Sequence, residues 1–390
     1  MYKVASTSVL DIIAKETNGK SYKTFKYSFE SMSVPTMDYD EHDRKFTWKK
    51  HGETVYHDRS ISLKKYADKL PELSQPLFRY FLDGSRHTYK VDDISYAQKV
   101  FPVIAGQVGV GCCMRDNGIM KPAYSGNEPL FWRDLVISLP NTAFDSDWQT
   151  DFSALQTVIN DKIKNINLNF SAIIPYSTDK VAIGDKMENR GIAKIQDFMI
   201  TREKQMVAKL VGEHFLSPDG FLIKDGSLEY VMTNVELDEL EKFKNNYQFV
   251  VGVSKSFNPE YCIDKDGNNN SNMIANLPVF HRTPVNKYYS ERIGDVYFAV
   301  WFVRIRERKY SNSPFDGVLK IEKILKNETE IEKGLDSELV DRITANIINE
   351  RNPVCYGADR RWANHLYPIY VTESYLKSKY LGTNMFLNLF

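Results

Sequence analysis

Cysteine is scarce in this chain. Its 390 residues include only Cys112, Cys113, Cys262 and Cys355. No CxxC pair occurs and the first two are adjacent, which argues against a zinc knuckle or a disulfide framework and for a reduced, cytoplasmic protein. No apolar run approaches the roughly 18 residues that a membrane helix needs, so no membrane association is expected. The segment Met1-Tyr-Lys-Val-Ala-Ser6 has no basic stretch followed by an apolar one, so no signal peptide is expected either. Net charge is also absent, since Lys+Arg and Asp+Glu both total 51. That excludes a chain coated with basic residues, while a neutral protein can still line one groove with cations and bind nucleic acid there. Histidine forms no His-x-x-x-His pair, and no internal repeat, coiled coil or low-complexity tract is present. Gly106-Gln-Val-Gly109-Val-Gly111 precedes no helix, which removes a dinucleotide site. Asp264-Lys-Asp266-Gly267 opens like a calcium loop but lacks the later ligands and the closing glutamate.

What the chain has is apolar and aromatic material, 42% and 13% of its residues, enough for a large core. Residues 1–75 are mixed, with a short capped helix predicted over Ser6–Lys15. They read as a peripheral extension, a small barrel or arm suited to dimer or partner contacts. From Pro76 to the end at 390 the pattern predicts one further domain. Leu77–Leu82 is a nearly continuous apolar strand, with His87–Val91 as its hairpin partner across an Asp83–Arg86 turn. Val100–Cys113 reads as a strand with a bend, and Leu130–Leu139 as another. Helices are predicted over Asp151–Ile166, Asp185–Gly212, Leu237–Asn246, Ser337–Glu350 and Val371–Leu381. Strands are predicted at Phe221–Ile223, Gln248–Ser254, Val296–Ile305 and Gly317–Ile324. A meander followed by alternating helices and strands implies parallel pairing through crossovers. The fold class expected is α/β, a ribonuclease-H-like core with a mixed central sheet flanked by helices.

Two strands run into Asp-Gly-Ser. Leu77-Phe-Arg-Tyr-Phe-Leu-Asp83-Gly-Ser85 and Phe221-Leu-Ile-Lys-Asp225-Gly-Ser-Leu228 each place a carboxylate where apolar side chains should continue, and there a carboxylate is costly unless it binds something. On the helix from Asp185, the stripe Ile192, Ile195, Met199, Met206 and Leu210 is interrupted by Glu203. Glu373 falls in the last helix. Such oxygen ligands suit Mg²⁺ or Mn²⁺ rather than zinc. Two such ions ~3.5–4 Å apart activate water and stabilise the leaving oxygen in phosphodiester cleavage. Lys255, after a neighbouring strand, is placed to neutralise a scissile phosphate. Plainer readings stand beside these. Asp-Gly-Ser after a strand is ordinary turn chemistry, Glu203 can turn to water at the edge of its stripe, and Lys255 can be a solvated strand-end lysine. His281 and His365 flank the core, where a structural role competes with contact to DNA or metal.

In order, Asp83-Gly-Ser85, Phe221–Leu228 and Val250-Val-Gly-Val-Ser-Lys255 resemble successive motifs of the NurA nuclease family. Val296–Ile305 with Val318–Glu322 looks like that family's late β-hairpin, and Tyr367-Pro-Ile-Tyr-Val-Thr-Glu373 is similar to its closing Tyr-Pro segment. The resemblance spans about residues 76–385. It implies a deoxyribonuclease dependent on Mn²⁺ or Mg²⁺, with two ions, acting as a homodimer with a HerA-type hexameric ATPase in DNA end processing or anti-phage defence. Carried over by position, Asp83, Glu203 and Asp225 are its metal ligands and Lys255 a further catalytic residue, while Glu373 is expected as a fourth catalytic and metal-binding carboxylate. Arg86, Lys255, His281 and Arg282 are expected to contact DNA. One departure stands out: Thr372-Glu373 replaces the family's usual Ala-His. It keeps open a second reading, a non-catalytic DNA clamp or docking subunit of the same motor. A guide-dependent, Piwi-type nuclease on the same fold ranks behind both.

Overall fold

The computed structural model describes residues 8–22, 26–29, 47–49, 52–55, 58–73, 75–144, 148–179, 186–230, 237–259, 262, 268–290, 296–308, 313–353 and 362–390. Cys355 and most of the calcium-loop-like segment fall outside them.

Two long strands dominate. Phe78–Tyr96 (β1) and Lys99–Asp116 (β2) pair antiparallel along nearly their whole length. Phe131–Pro140 (β3) adds to β2 antiparallel, and Ala172–Tyr176 (β4) adds to β3 in parallel. On the other side of β1, Phe221–Asp225 (β5) pairs in parallel, and Val250–Ser254 (β6) pairs in parallel with β5. Val296–Arg304 (β7) and Val318–Leu325 (β8) form an antiparallel hairpin joined to the sheet through β8. The resulting order is β4-β3-β2-β1-β5-β6-β8-β7. Its centre, three antiparallel strands followed by two parallel ones on the first strand's free side, is the ribonuclease-H-like arrangement. The fold is therefore a mixed α/β one with a large mixed sheet, as the order of apolar runs predicts.

Helices cover both faces. The sheet side chains alternate between the faces with the two-residue period of a strand. Tyr80, Leu82, Ile104, Val108, Leu222 and Val250 point to one face. There they meet Met187–Gly212 (α2) through Ile195, Met199, Met206 and Leu210, and Leu237–Asn246 (α3) through Leu240 and Phe243. Phe81, Ile223, Val251, Trp301 and Ile321 point to the other. That face carries Ser337–Asn349 (α4), through Val340, Ile343 and Ile347, and Tyr367–Lys377 (α5), through Ile369. A third core gathers beyond these, where Tyr89, Val91 and Ile137 pack on Trp148–Ile163 (α1) through Leu155 and Ile159.

The described parts of residues 1–75 are stitched into this body. Helix Val9–Glu16 begins with a capping box between Ser8 and Asp11, and its Val9, Leu10 and Ile13 join the third core with Phe386 and Leu389. Lys20–Ser21 and Tyr27–Ser28 pair with the part of β1 that outruns β5. At the far edge, Ile61–Ser62 pairs with His281–Arg282, and the latter pairs with β7.

Two sequence expectations need correction here. No turn occurs at Asp83–Arg86: the chain runs straight through as one strand, with Asp83 opposite Gly111 and Ser85 opposite Gly109. The partner β2 is long enough to hold residues 83–90 in register, so cross-strand pairing overrides the turn preference of Asp-Gly-Ser. The helix expected over Val371–Leu381 runs instead over Tyr367–Lys377, with Pro368 in its first turn, and a further short helix follows at Thr383–Leu387. Proline has no N–H to give and a fixed φ, so it suits that position.

Candidate functional site

Strand alternation decides which predicted residues meet. Phe81 and Ile223 face α4 and α5, so Asp83 and Asp225, two residues further along, share that face. Val251 and Val253 place Lys255 there too. Asp225 ends β5 beside Asp83. Gly226 then turns the chain at φ +83°, a conformation glycine adopts without a steric penalty, and its N–H donates to the Val253 carbonyl at 2.9 Å. The turn is locked from beneath by Glu322, which accepts from Ser227 Oγ at 2.8 Å and the Leu228 N–H at 2.7 Å. Burial opposes the charge of Glu322, but Lys320 and these hydrogen bonds hold its carboxyl below the usual range. Lys255 Nζ donates to Asp225 Oδ2 at 3.0 Å, and its own carbonyl accepts from Asn364 Nδ2 at 2.8 Å.

Glu373, on α5, completes this face. It acts on Asp83 and Lys255 electrostatically, and Lys377 one turn along the helix donates to its Oε1 at 2.7 Å. Asp83 is the least served of the three carboxylates. It is 4% exposed, and among the described residues no hydrogen bond or ion pair reaches its side chain. Burial pushes its pKa well up, Asp225, Glu373 and Glu203 push the same way, and Lys255 alone opposes them. Burial works against the charge of Lys255, yet Asp225, Asp83 and Glu373 together hold its pKa above the ordinary lysine value.

Glu203 belongs to the other face. It is buried with Met199 and Met206 on the α2 stripe, where Lys224 Nζ comes within 3.0 Å of its Oε2. The pair is close but poorly aligned as a hydrogen bond, and Lys224 also donates to the Ser227 carbonyl at 3.1 Å. The ring of Tyr230 lies 5.3 Å from the same ammonium. Burial raises the pKa of Glu203, against the pull of Lys224. The helix can approach so closely because residue 84 is glycine. A Cβ there would fall 2.2 Å from Glu203 Oε1. Glu203 thus reaches the sheet directly behind Asp83, and the two carboxylates feel each other through the strand.

The remaining expected residues lie elsewhere. Arg86 sits on the α2 face, donating to Gln196 Oε1 at 2.5 Å and Thr88 Oγ1 at 3.3 Å. Arg282 is wholly buried and corrects the expectation of a cation facing DNA. Its guanidinium is paired with Glu53 at 2.9 and 2.8 Å and with Asp341 at 2.6 Å, which makes it a structural tie between distant parts of the chain. Neighbouring His281, at the far edge of the sheet, is within 3.1 Å of Ser60 Oγ, and burial lowers its pKa. His365 is buried as well.

Three contributors went unnoticed in the sequence: Gly84, Lys224 and Asn364. Only Gly84 carried a signal, as the small residue directly following a suspect carboxylate. Among the described residues no group of three or more Asp, Glu, His and Cys side chains could by itself hold a metal ion. The chemistry of the aspartate pair nonetheless fits a hard divalent cation. Asp83 is buried with no hydrogen bond or ion pair to its side chain among the described residues, Asp225 stands beside it, and Mg²⁺-type sites are commonly built on one or two carboxylates with water and substrate phosphate completing the shell.

No helix among the described residues is long and apolar enough to cross a membrane. No family model matches the chain, and no curated protein matches it. Among solved structures it is similar to the NurA nuclease from Sulfolobus solfataricus, with 11% identity over 80% of this chain and 85% of that one, at a TM-score of 0.39.

Proposed function

We propose that this chain is a metal-dependent nuclease that hydrolyses DNA phosphodiester bonds at the Asp83–Asp225 face of its sheet. The observation that carries the reading is Asp83. A carboxylate held in the middle of a strand, buried and without an ion-pair partner, is a standing cost that a bound cation would remove. Asp83 and Asp225 would hold Mn²⁺ or Mg²⁺, with Glu373 beside them. When bound, such an ion makes water a stronger nucleophile and offsets charge on phosphoryl oxygens. The chain's own residues do the rest. Lys255 fixes the orientation of the Asp225 carboxylate and presents a positive charge towards an incoming phosphate. Asn364 holds the Lys255 backbone in place, and the Glu322-locked turn carries the chain clear of the site after Asp225. On the motif resemblance, the reading extends to a cytoplasmic homodimer working with a HerA-type hexameric ATPase in end processing or phage defence.

The test is degradation of labelled linear DNA by purified protein in Mn²⁺, repeated with EDTA and with the motor. Asp83→Ala and Asp225→Ala are expected to lower the rate by about three orders of magnitude or more, roughly 4 kcal/mol of transition-state stabilisation. Near-normal cleavage by both variants would remove the assignment. One observation favours the second reading, a DNA clamp that does not cut: Glu373, in the place of the family's histidine, is ion-paired to Lys377. Absence of cleavage by the native chain under every condition, with DNA still bound, would select it.

A further inference from the structure

Glu373 reaches the Asp83 face only because α5 lies where it does, and β2 decides where that is. Residues 107–111 of β2, Gln-Val-Gly-Val-Gly, alternate between the faces of the sheet. Val108 and Val110 join the core beneath α2, so Gln107, Gly109 and Gly111 face α5. Glycine inside a strand gives up packing, and it is found where another part of the chain approaches closely. Both glycines meet that condition. A Cβ at residue 111 would come within 2.7 Å of Leu376 Cδ2, and one at residue 109 within 3.1 Å of the Tyr380 ring. Gln107, wholly buried, grips the chain just beyond α5. Its Nε2 donates to the Leu381 carbonyl at 3.0 Å, and its Oε1 accepts from the Leu381 N–H at 2.8 Å. Arg133, on neighbouring β3, donates to the Lys379 carbonyl at 3.1 Å. Strand register ties these contacts to the site. Gly111 is the cross-strand partner of Asp83, so Leu376 rests beside the Asp83 position. Glu373 is three residues back, about 4.5 Å along the helix axis, where it acts on Asp83 and Lys255.

We infer that Gln107, Gly109 and Gly111 are positioning residues for this centre. The glycines set how closely α5 approaches the sheet, Gln107 sets its register along β2, and together they hold Glu373 in place beside Asp83. The catalytic consequence rests on the nuclease reading above, whereas the seating of α5 does not. The glycine run that leads to no dinucleotide site thus serves to let a helix lie flat on a strand.

The experiment pairs steady-state cleavage of labelled linear DNA in Mn²⁺ with amide hydrogen exchange over residues 370–377, which needs neither metal nor DNA. Gly111→Ala pushes α5 off β2 at Leu376. It is expected to lower kcat about ten- to a hundredfold, the cost of a misplacement of about 1 Å, with KM for DNA little changed. Exchange over 370–377 is expected to quicken about tenfold in the same variant. Adding Leu376→Ala removes the obstructing carbons and should restore most of both. Ile159→Ala, which opens a cavity in the third core away from α5, is the control for lost stability and should keep the native kcat. Native exchange over 370–377 in Gly111→Ala would overturn the inference. So would a loss of kcat that Ile159→Ala reproduces or Leu376→Ala fails to relieve. If circular dichroism shows Gly111→Ala unfolded, Gln107→Leu, which strands the Leu381 backbone without adding overlap, carries both measurements with the same expectations. No cleavage by the native chain, with exchange responding as expected, would remove the nuclease reading and leave the seat of α5 standing.

Discussion

The two faces of the sheet at Asp83 carry the same kinds of residue in opposite states. On the α2 face a carboxylate and a lysine, Glu203 and Lys224, are buried and matched one to one. On the α5 face Asp225 is paired with Lys255 and Glu373 with Lys377, while no hydrogen bond or ion pair among the described residues reaches the buried side chain of Asp83. A buried pair that is complete is a structural device, often no better for stability than apolar residues of the same shape. A buried carboxylate left without a partner is held at a cost to stability, and such costs are concentrated where a ligand relieves them. Residue type alone does not separate the two cases. The presence or absence of a partner at contact distance does.

That contrast can be broken from the paired side first. Glu203→Gln or Lys224→Met, made singly, strands the other charge in the core and is expected to cost about 3–5 kcal/mol. The double variant Glu203→Leu/Lys224→Met is expected to recover most of that loss in urea unfolding. If the double variant were as unstable as the singles, Glu203 would have a role beyond its lysine. A smaller effect is expected at the passage between the faces. Gly84→Ala puts a methyl group 2.2 Å from Glu203 Oε1, so the helix or the carboxylate must shift, at about 1–3 kcal/mol. Combining Gly84→Ala with Glu203→Ala, which vacates that space, should relieve the strain.

The smallest effect sharpens the unpaired side. Because the folded-state pKa of Asp83 is raised, the native protein holds a proton that the unfolded chain has released. Stability of the metal-free protein should therefore fall as pH rises from the ordinary carboxylate range, near 4, up through the raised value. The fall should disappear in Asp83→Asn and be reversed by saturating Mn²⁺. Denaturant titrations of both proteins across that range, with and without the ion, would show it.

Much of this molecule was legible in the chain because it is written in local period. The stripe of α2 and its interruption at Glu203, the apolar runs of β5 and β6, and the Asp225-Gly-Ser turn all appear in the structure where the side-chain pattern puts them. The first Asp-Gly-Ser was not legible. Its turn chemistry equals that of the second, and only pairing with β2, set by residues 99–116, keeps it extended. β4 was missed for a related reason: Ala172-Ile-Ile-Pro-Tyr176 is short and contains proline, and it becomes a strand by adding to the edge of β3. Arg282 reads as a candidate for DNA because its partner Glu53 lies 229 residues away in the chain. Nor could periodicity say that Glu203 and Asp83 face each other through a strand instead of across a cleft. That depends on the parity of residues 82 to 84 relative to 222 to 225, which is fixed by sheet pairing.

The β1–β2 ribbon, continuous apart from a shift of register between Lys90 and Asp92, has a mechanical consequence. Residues 84–96, at about 3.3 Å each, carry β1 roughly 40 Å past Asp83 into the third core, with β2 paired alongside almost throughout. The site strand and the distal core are thus one girder, with no linker between them on which two lobes could swing. Asp83 and Asp225 are bolted to that girder, so any adjustment at their face falls to what is fastened on top of it. Glu373 rides on such a piece, the helix α5, which is seated on this face through Ile369.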